Sequence, residues 1–167
     1  MTRLLIGATH EQNDGISDRY ILERFEASIV SEELPLDYSR KEIETLCRTC
    51  GFSNTHIVRK IGKKKLTISG TFNDIGLMVW FGNQHFVFKH FLNLQLLFNE
   101  GNISSALYIT SMKDETINRR ARIKKSQGKE PPKSATNYCE YETTVEFLEA
   151  IADLISVPIT VVGLQGS

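Results

Sequence analysis

The feature that most constrains this chain is an apolar run, a long apolar helical segment and a second apolar run in direct succession. Ile75 to Phe81 is uncharged and apolar on both faces of an extended segment, the pattern of a strand inside a sheet covered on both sides. Gly82-Asn83 breaks it. Gln84 to Asn99 then reads as the longest helix, with Phe86, Phe88, Phe91, Leu92, Leu94, Leu96, Leu97 and Phe98 spread around more than one face. A helix apolar on several sides must be enclosed by the core or covered by a partner chain. After Gly101-Asn102, Ile103 to Thr110 reads as a strand. Strand, helix, strand is a βαβ unit, which implies parallel pairing and an α/β fold.

The flanking segments extend this plan. Leu4-Leu5-Ile6 reads as a short strand, followed by a turn through Asn13-Asp14-Gly15. Ser17 or Asp18 caps a helix to about Ser31, with Tyr20, Ile21, Phe25, Ile29 and Val30 near helical spacing. Pro35 ends that region. Ser39 with Glu42 three residues on is a capping-box pattern, and the helix it opens carries Ile43, Leu46 and Cys47 and stops at Gly51. Thr55 to Val58 and Leu66 to Ser69 read as strands. The polar stretch 112–138, with Pro131-Pro132 inside, reads as a basic loop. Glu142 to Ile155 has helical periodicity, and Val157 to Leu164 is a final apolar strand before a short tail.

A length of 167 residues suits one domain spanning 1–167. Hydrophobic content of 41% and charged content of 24% exclude a wholly disordered chain. No apolar stretch reaches the roughly 18–20 residues of a membrane span, and the start has no signal-peptide pattern, so the expected location is cytoplasmic. Cys47 and Cys50 form a CxxC, with His56 shortly after and Cys139 far away. Structural zinc usually brings two clear ligand pairs, so reduced, buried thiols and no metal are expected. His85 and His90 stand five apart, a spacing that does not share a helix face, and are read as packing residues. No P-loop, GxGxxG or Ser-His-Asp order is present.

Net charge is zero, yet bases dominate at Arg59 to Lys65 and again at Arg119 to Lys133. Local field rather than net charge attracts phosphates. The second cluster holds Arg119, Arg120, Arg122, Lys124, Lys125, Lys129 and Lys133 against one acid, Glu130. On composition alone such a run is more often a solvated loop. Lys63, Lys64 and Lys65 read as a hairpin tip that either adds a phosphate contact or stands idle.

Four pieces in order resemble the BamHI/BglII/BstYI group of type II restriction endonucleases. They are Ile75 through Phe88 running into the long helix, Ile103 to Lys113 ending in a Met-Lys step, Ser134 to Glu142, and Val157 to Leu164. The resemblance implies a PD-(D/E)XK fold, a mixed sheet flanked by helices, acting on double-stranded DNA as a homodimer with the long helix at the dimer contact. It also implies an acid before the central strand and an acid-x-amide pair on it, which bind Mg²⁺ through oxygen. Here those places fall on Ser69, Met78 and Trp80. The expected function is therefore sequence-specific duplex binding without cleavage and without a cofactor. A second reading keeps an active Mg²⁺-dependent endonuclease with a rearranged site, Asp74 as its acid and Glu44 in support, with Glu100, Gln84 or Lys89 as further contributors. A third makes the chain a non-catalytic partner of a nuclease. The resemblance places Arg119, Arg120, Arg122, Lys124 and Lys125 near the DNA, and Ser134, Thr136 and Asn137 in the base-reading loop.

Overall fold

The computed structural model describes residues 4–12, 19–31, 38–130 and 137–166. Strand β5 (Ile75–Val79) lies inside the sheet and is buried at every position. It pairs in parallel with β6 (Ser105–Ser111), and β6 pairs in parallel with β7 (Ile159–Gly166). The expected βαβ unit is present, with α3 (Val87–Asn99) as its crossover. The sheet ends are antiparallel: β1 (Leu4–Gln12) runs beside β7, and β4 (Gly70–Phe72) forms a hairpin with β5. The order is β1-β7-β6-β5-β4, a mixed sheet, with β2 (His56–Ile61) and β3 (Lys64–Ile68) as a separate hairpin.

Both faces of this sheet are covered, so its strands are apolar throughout rather than alternating. Ile75, Leu77, Val79, Leu107, Ile109, Val162 and Leu164 share one core with Ile21 and Phe25 of α1 (Arg19–Ser31) and Ile43, Leu46 and Cys47 of α2 (Arg40–Thr49). Met78, Ala106, Tyr108, Ile159 and Val161 meet Val87, Phe91, Leu94 and Leu97 of α3 and Leu148 of α5 (Tyr141–Ala150) on the other face. Gly76 lets α3 approach: a Cβ there would lie 2.9 Å from Ile103 Cδ1 and 3.1 Å from Leu94 Cδ2.

The capping box at Ser39 and Glu42 is formed as the sequence predicts, and it orients the first turn of α2. Several boundaries differ. The segment at Gln84 opens as a 3₁₀ turn, Gln84–Phe86, with the Asn83 side chain accepting from His85 N at 2.9 Å, before α3 starts at Val87. The first strand extends to Gln12. The expectation of a loop over 112–138 is corrected for its first half, because Lys113–Ser126 is a helix, α4. Asp114 and Glu115 in its first turn and Lys124 and Lys125 in its last complement the helix dipole. It escaped apolar periodicity because its buried residues are Glu115, Thr116 and Arg119.

Candidate functional site

The carboxyl end of β5 carries the positions where the resemblance expects metal ligands. Ser69 follows β3 and lies against β5, its N–H donating to Leu77 O at 2.8 Å and its Oγ accepting from Val79 N at 3.0 Å. This places Ser69 beside Met78. Trp80 continues the strand, its backbone N–H donating to Ile109 O at 3.0 Å. Its indole N–H donates to Asn83 O at 3.0 Å, and the ring folds over Gly82, where a Cβ would lie 2.6 Å from Trp80 Cζ2.

The first residue of α2 reaches this point. Arg40 Nε donates to Glu44 Oε1 at 2.7 Å, and Nη2 donates to Ser69 Oγ at 3.2 Å. Its guanidinium carbon stands 5.4 Å from the Trp80 ring centre. Behind the indole lies His90, 4.8 Å away ring to ring, with Nδ1 3.2 Å from Tyr108 OH. Burial, reinforced by the charges of Arg40 and Lys89, lowers the His90 pKa to about 3. The imidazole is therefore neutral at physiological pH. Tyr108 OH and Cys139 Sγ, 3.7 Å apart, continue the buried polar chain, and burial raises both of their pKa values.

These residues do not fit a hard divalent cation. Such a cation needs several oxygen donors. Met78 is a thioether 2% exposed in the α3-side core, the indole nitrogen is a donor, and the Ser69 hydroxyl is engaged by Arg40. The nearby carboxylate, Glu44, is ion-paired to that same arginine. Asp74 lies at the opposite end of β5, exposed in the β4–β5 turn, where it accepts from the Ser104 hydroxyl. Four strand positions separate Asp74 from Met78, about 13 Å at the usual rise. The structure thus brings Glu44 to the site and leaves Asp74 outside it. Glu100 pairs with Arg59 at 2.6 Å on the hairpin side. Among the described residues, no cluster of three or more His, Cys, Asp or Glu could hold a metal. Cys47 and Cys50 lie in the α1/α2-side core and Cys139 in the other, so the CxxC does not meet the third thiol.

The basic residues of α4 divide by role. Arg119 is 4% exposed, donating to Tyr38 O at 3.0 Å and Phe81 O at 3.4 Å, with its guanidinium about 5 Å from both aromatic rings. Arg122 pairs with Glu115 at 2.7 Å. Arg120 donates to Phe81 O at 3.4 Å and stacks 3.9 Å over Tyr138. Lys124 is half-buried and Lys125 exposed. Asn137 is exposed, its carbonyl accepting from Gln84 N at 3.1 Å, whereas Ser134 and Thr136 lie outside the described residues. Arg40, Arg119 and Arg120 converge with Trp80, Phe81 and Gly82 on one cleft of about 250 Å³. The sequence reading missed Arg40. Its spacing to Glu44 signals a local helix pair, but nothing local signals the reach to Ser69.

The comparisons agree with this frame. The profile of the family described as restriction endonuclease BglII/BglIII matches residues 21–164. The crystal structure of restriction endonuclease BglII complexed with a DNA 16-mer is similar, with a TM-score of 0.69 and 15% identity over 95% of this chain and 77% of that one. No curated protein matches by sequence. By its match over most of its length and by its mixed, doubly covered sheet, the chain belongs to the BglII/BglIII family of restriction endonucleases.

Proposed function

We propose that this chain binds duplex DNA at a specific sequence through its restriction-endonuclease frame and does not hydrolyse it. The observation that carries the reading is the Arg40 guanidinium bonded to Ser69 beside Met78 and Trp80. A cationic side chain stands there with a thioether and an indole, where hydrolysis would need oxygen ligands for a metal. The DNA in the complex of the similar BglII structure supports a duplex as the ligand class. The homodimeric form is supported by α3, which exposes Phe88 and Leu92 one turn apart, with Phe86 just before it. Two-fold symmetry would pair with a palindromic or near-palindromic site.

Two assays test the reading. A gel-shift titration at low and high salt should give binding that weakens steeply with salt; no duplex affinity at low salt ends it. Plasmid incubated with Mg²⁺ or Mn²⁺ should stay intact. Discrete fragments that vanish in Asp74→Ala would establish an active, rearranged endonuclease in its place.

A further inference from the structure

We infer that the cleft between Arg40 and Arg120 is a phosphodiester-binding site in which a guanidinium does the work of a divalent cation, so that duplex binding needs no metal. The inference rests on the duplex-binding reading above and assigns its contact residues. The cleft is lined by Arg40, Trp80, Phe81, Gly82, Arg119 and Arg120, three cations and no acid. Their geometry separates them. Arg119 is buried with Nη1 and Nη2 both committed to backbone carbonyls, so it contributes fixed positive charge behind the cleft. Arg40 is more than a third exposed. Its Nε and Nη2 are held by Glu44 and Ser69, and Nη1 has no bond to any described residue. Glu44 thereby fixes the fork's orientation and leaves one edge of it open.

Arg120 stands across the cleft, its plane held on Tyr138 and Nη2 anchored on Phe81 O. Two pre-oriented guanidiniums over an aromatic floor suit a phosphate, which accepts from planar forks in bidentate fashion. Gly82 keeps that floor accessible, because the indole occupies the space a side chain there would take. A bare inorganic cation would instead meet the Arg40 charge.

The test is fluorescence anisotropy with a labelled pool of random-sequence duplex at low salt, in EDTA and then in MgCl₂ or CaCl₂. Affinity should agree within about twofold between conditions. Arg40→Ala and Arg120→Ala should each weaken binding about tenfold, the effect of losing a charged hydrogen-bond donor, and flatten the salt slope by about one. Arg40→Lys keeps the charge and folds with the least disturbance; it should preserve the salt slope while losing part of the affinity. Circular dichroism checks that each variant is folded. A tenfold or larger gain on adding Mg²⁺ or Ca²⁺ overturns the inference, as does wild-type affinity in all three variants. Both outcomes leave duplex binding standing. No binding by the wild-type chain overturns the inference together with the reading beneath it.

Discussion

The guanidinium of Arg40 donates to the hydroxyl of Ser69 across 3.2 Å of space and 29 residues of sequence. That bond joins the first turn of α2 to the start of the β4–β5 hairpin, at the place where the resemblance expects metal ligands. The arginine is itself fixed by Glu44 one turn on. The guanidinium so held stands beside the Trp80 indole, 5.4 Å from its ring centre.

Restoring the oxygen ligands alone should not restore metal binding. Ser69→Asp with Met78→Glu would place two carboxylates beside Arg40, and they would pair with its guanidinium. The same pair combined with Arg40→Ala should bind Mn²⁺, read by electron paramagnetic resonance as loss of free-ion signal. Equal Mn²⁺ binding with and without Arg40 would show that the arginine does not block the site.

Arg119 and Lys125 sit on one helix and should behave oppositely in thermal melts. Arg119→Ala leaves the Tyr38 carbonyl without its donor, leaves Phe81 O to Arg120 alone and removes two ring contacts. The cost should be about 1–3 kcal/mol, as for a buried acceptor that loses its donor. Lys125→Ala, on an exposed position, should stay within about 0.5 kcal/mol of wild type. Melting temperatures that fall equally for the two would contradict this division of roles.

Acid should loosen the fold through His90. Its pKa is about 3 in the folded protein, against an ordinary value of 6.5. The unfolded chain therefore binds the proton first, and stability contributed by the neutral imidazole is complete above pH 6.5 and declines as pH falls towards 3. Between pH 7 and 5 the loss from this one group should be about 1–2 kcal/mol. Urea unfolding at the two pH values measures it, and His90→Gln should flatten the dependence. An unchanged slope in that variant would assign the acid sensitivity elsewhere.

The sequence showed the architecture wherever burial leaves a periodic trace. Ile75 to Phe81, the α3 segment and Ile103 to Thr110 are apolar because both sheet faces are covered, and the Ser39–Glu42 box is local by nature. The resemblance pointed to Ser69, Met78 and Trp80, and Ser69 does lie against the end of β5 that carries the other two. What escaped was non-local or polar. Helix α4 buries an arginine, a glutamate and a threonine in place of an apolar stripe. The use of Arg119 as a core pillar depends on Tyr38 and Phe81, which lie 81 and 38 residues away along the chain. Charge spacing along a segment cannot distinguish a buried arginine from one that faces solvent.

The exposed apolar residues of α3 make the last prediction. Phe88 and Leu92 are 43% and 41% exposed and lie on one side of the helix, whereas Phe91 and Leu94 are buried in the core of their own chain. Exposed aromatic and aliphatic side chains one turn apart form a self-complementary stripe when two copies meet about a two-fold axis. Light scattering should therefore give twice the chain mass for wild type, and Phe88→Glu with Leu92→Glu should give the chain mass while keeping a wild-type circular dichroism spectrum. Duplex affinity in that double variant should fall with the lost second half-site contact. A wild-type chain that is monomeric at every concentration tested would remove the homodimer and leave the stripe to a different protein.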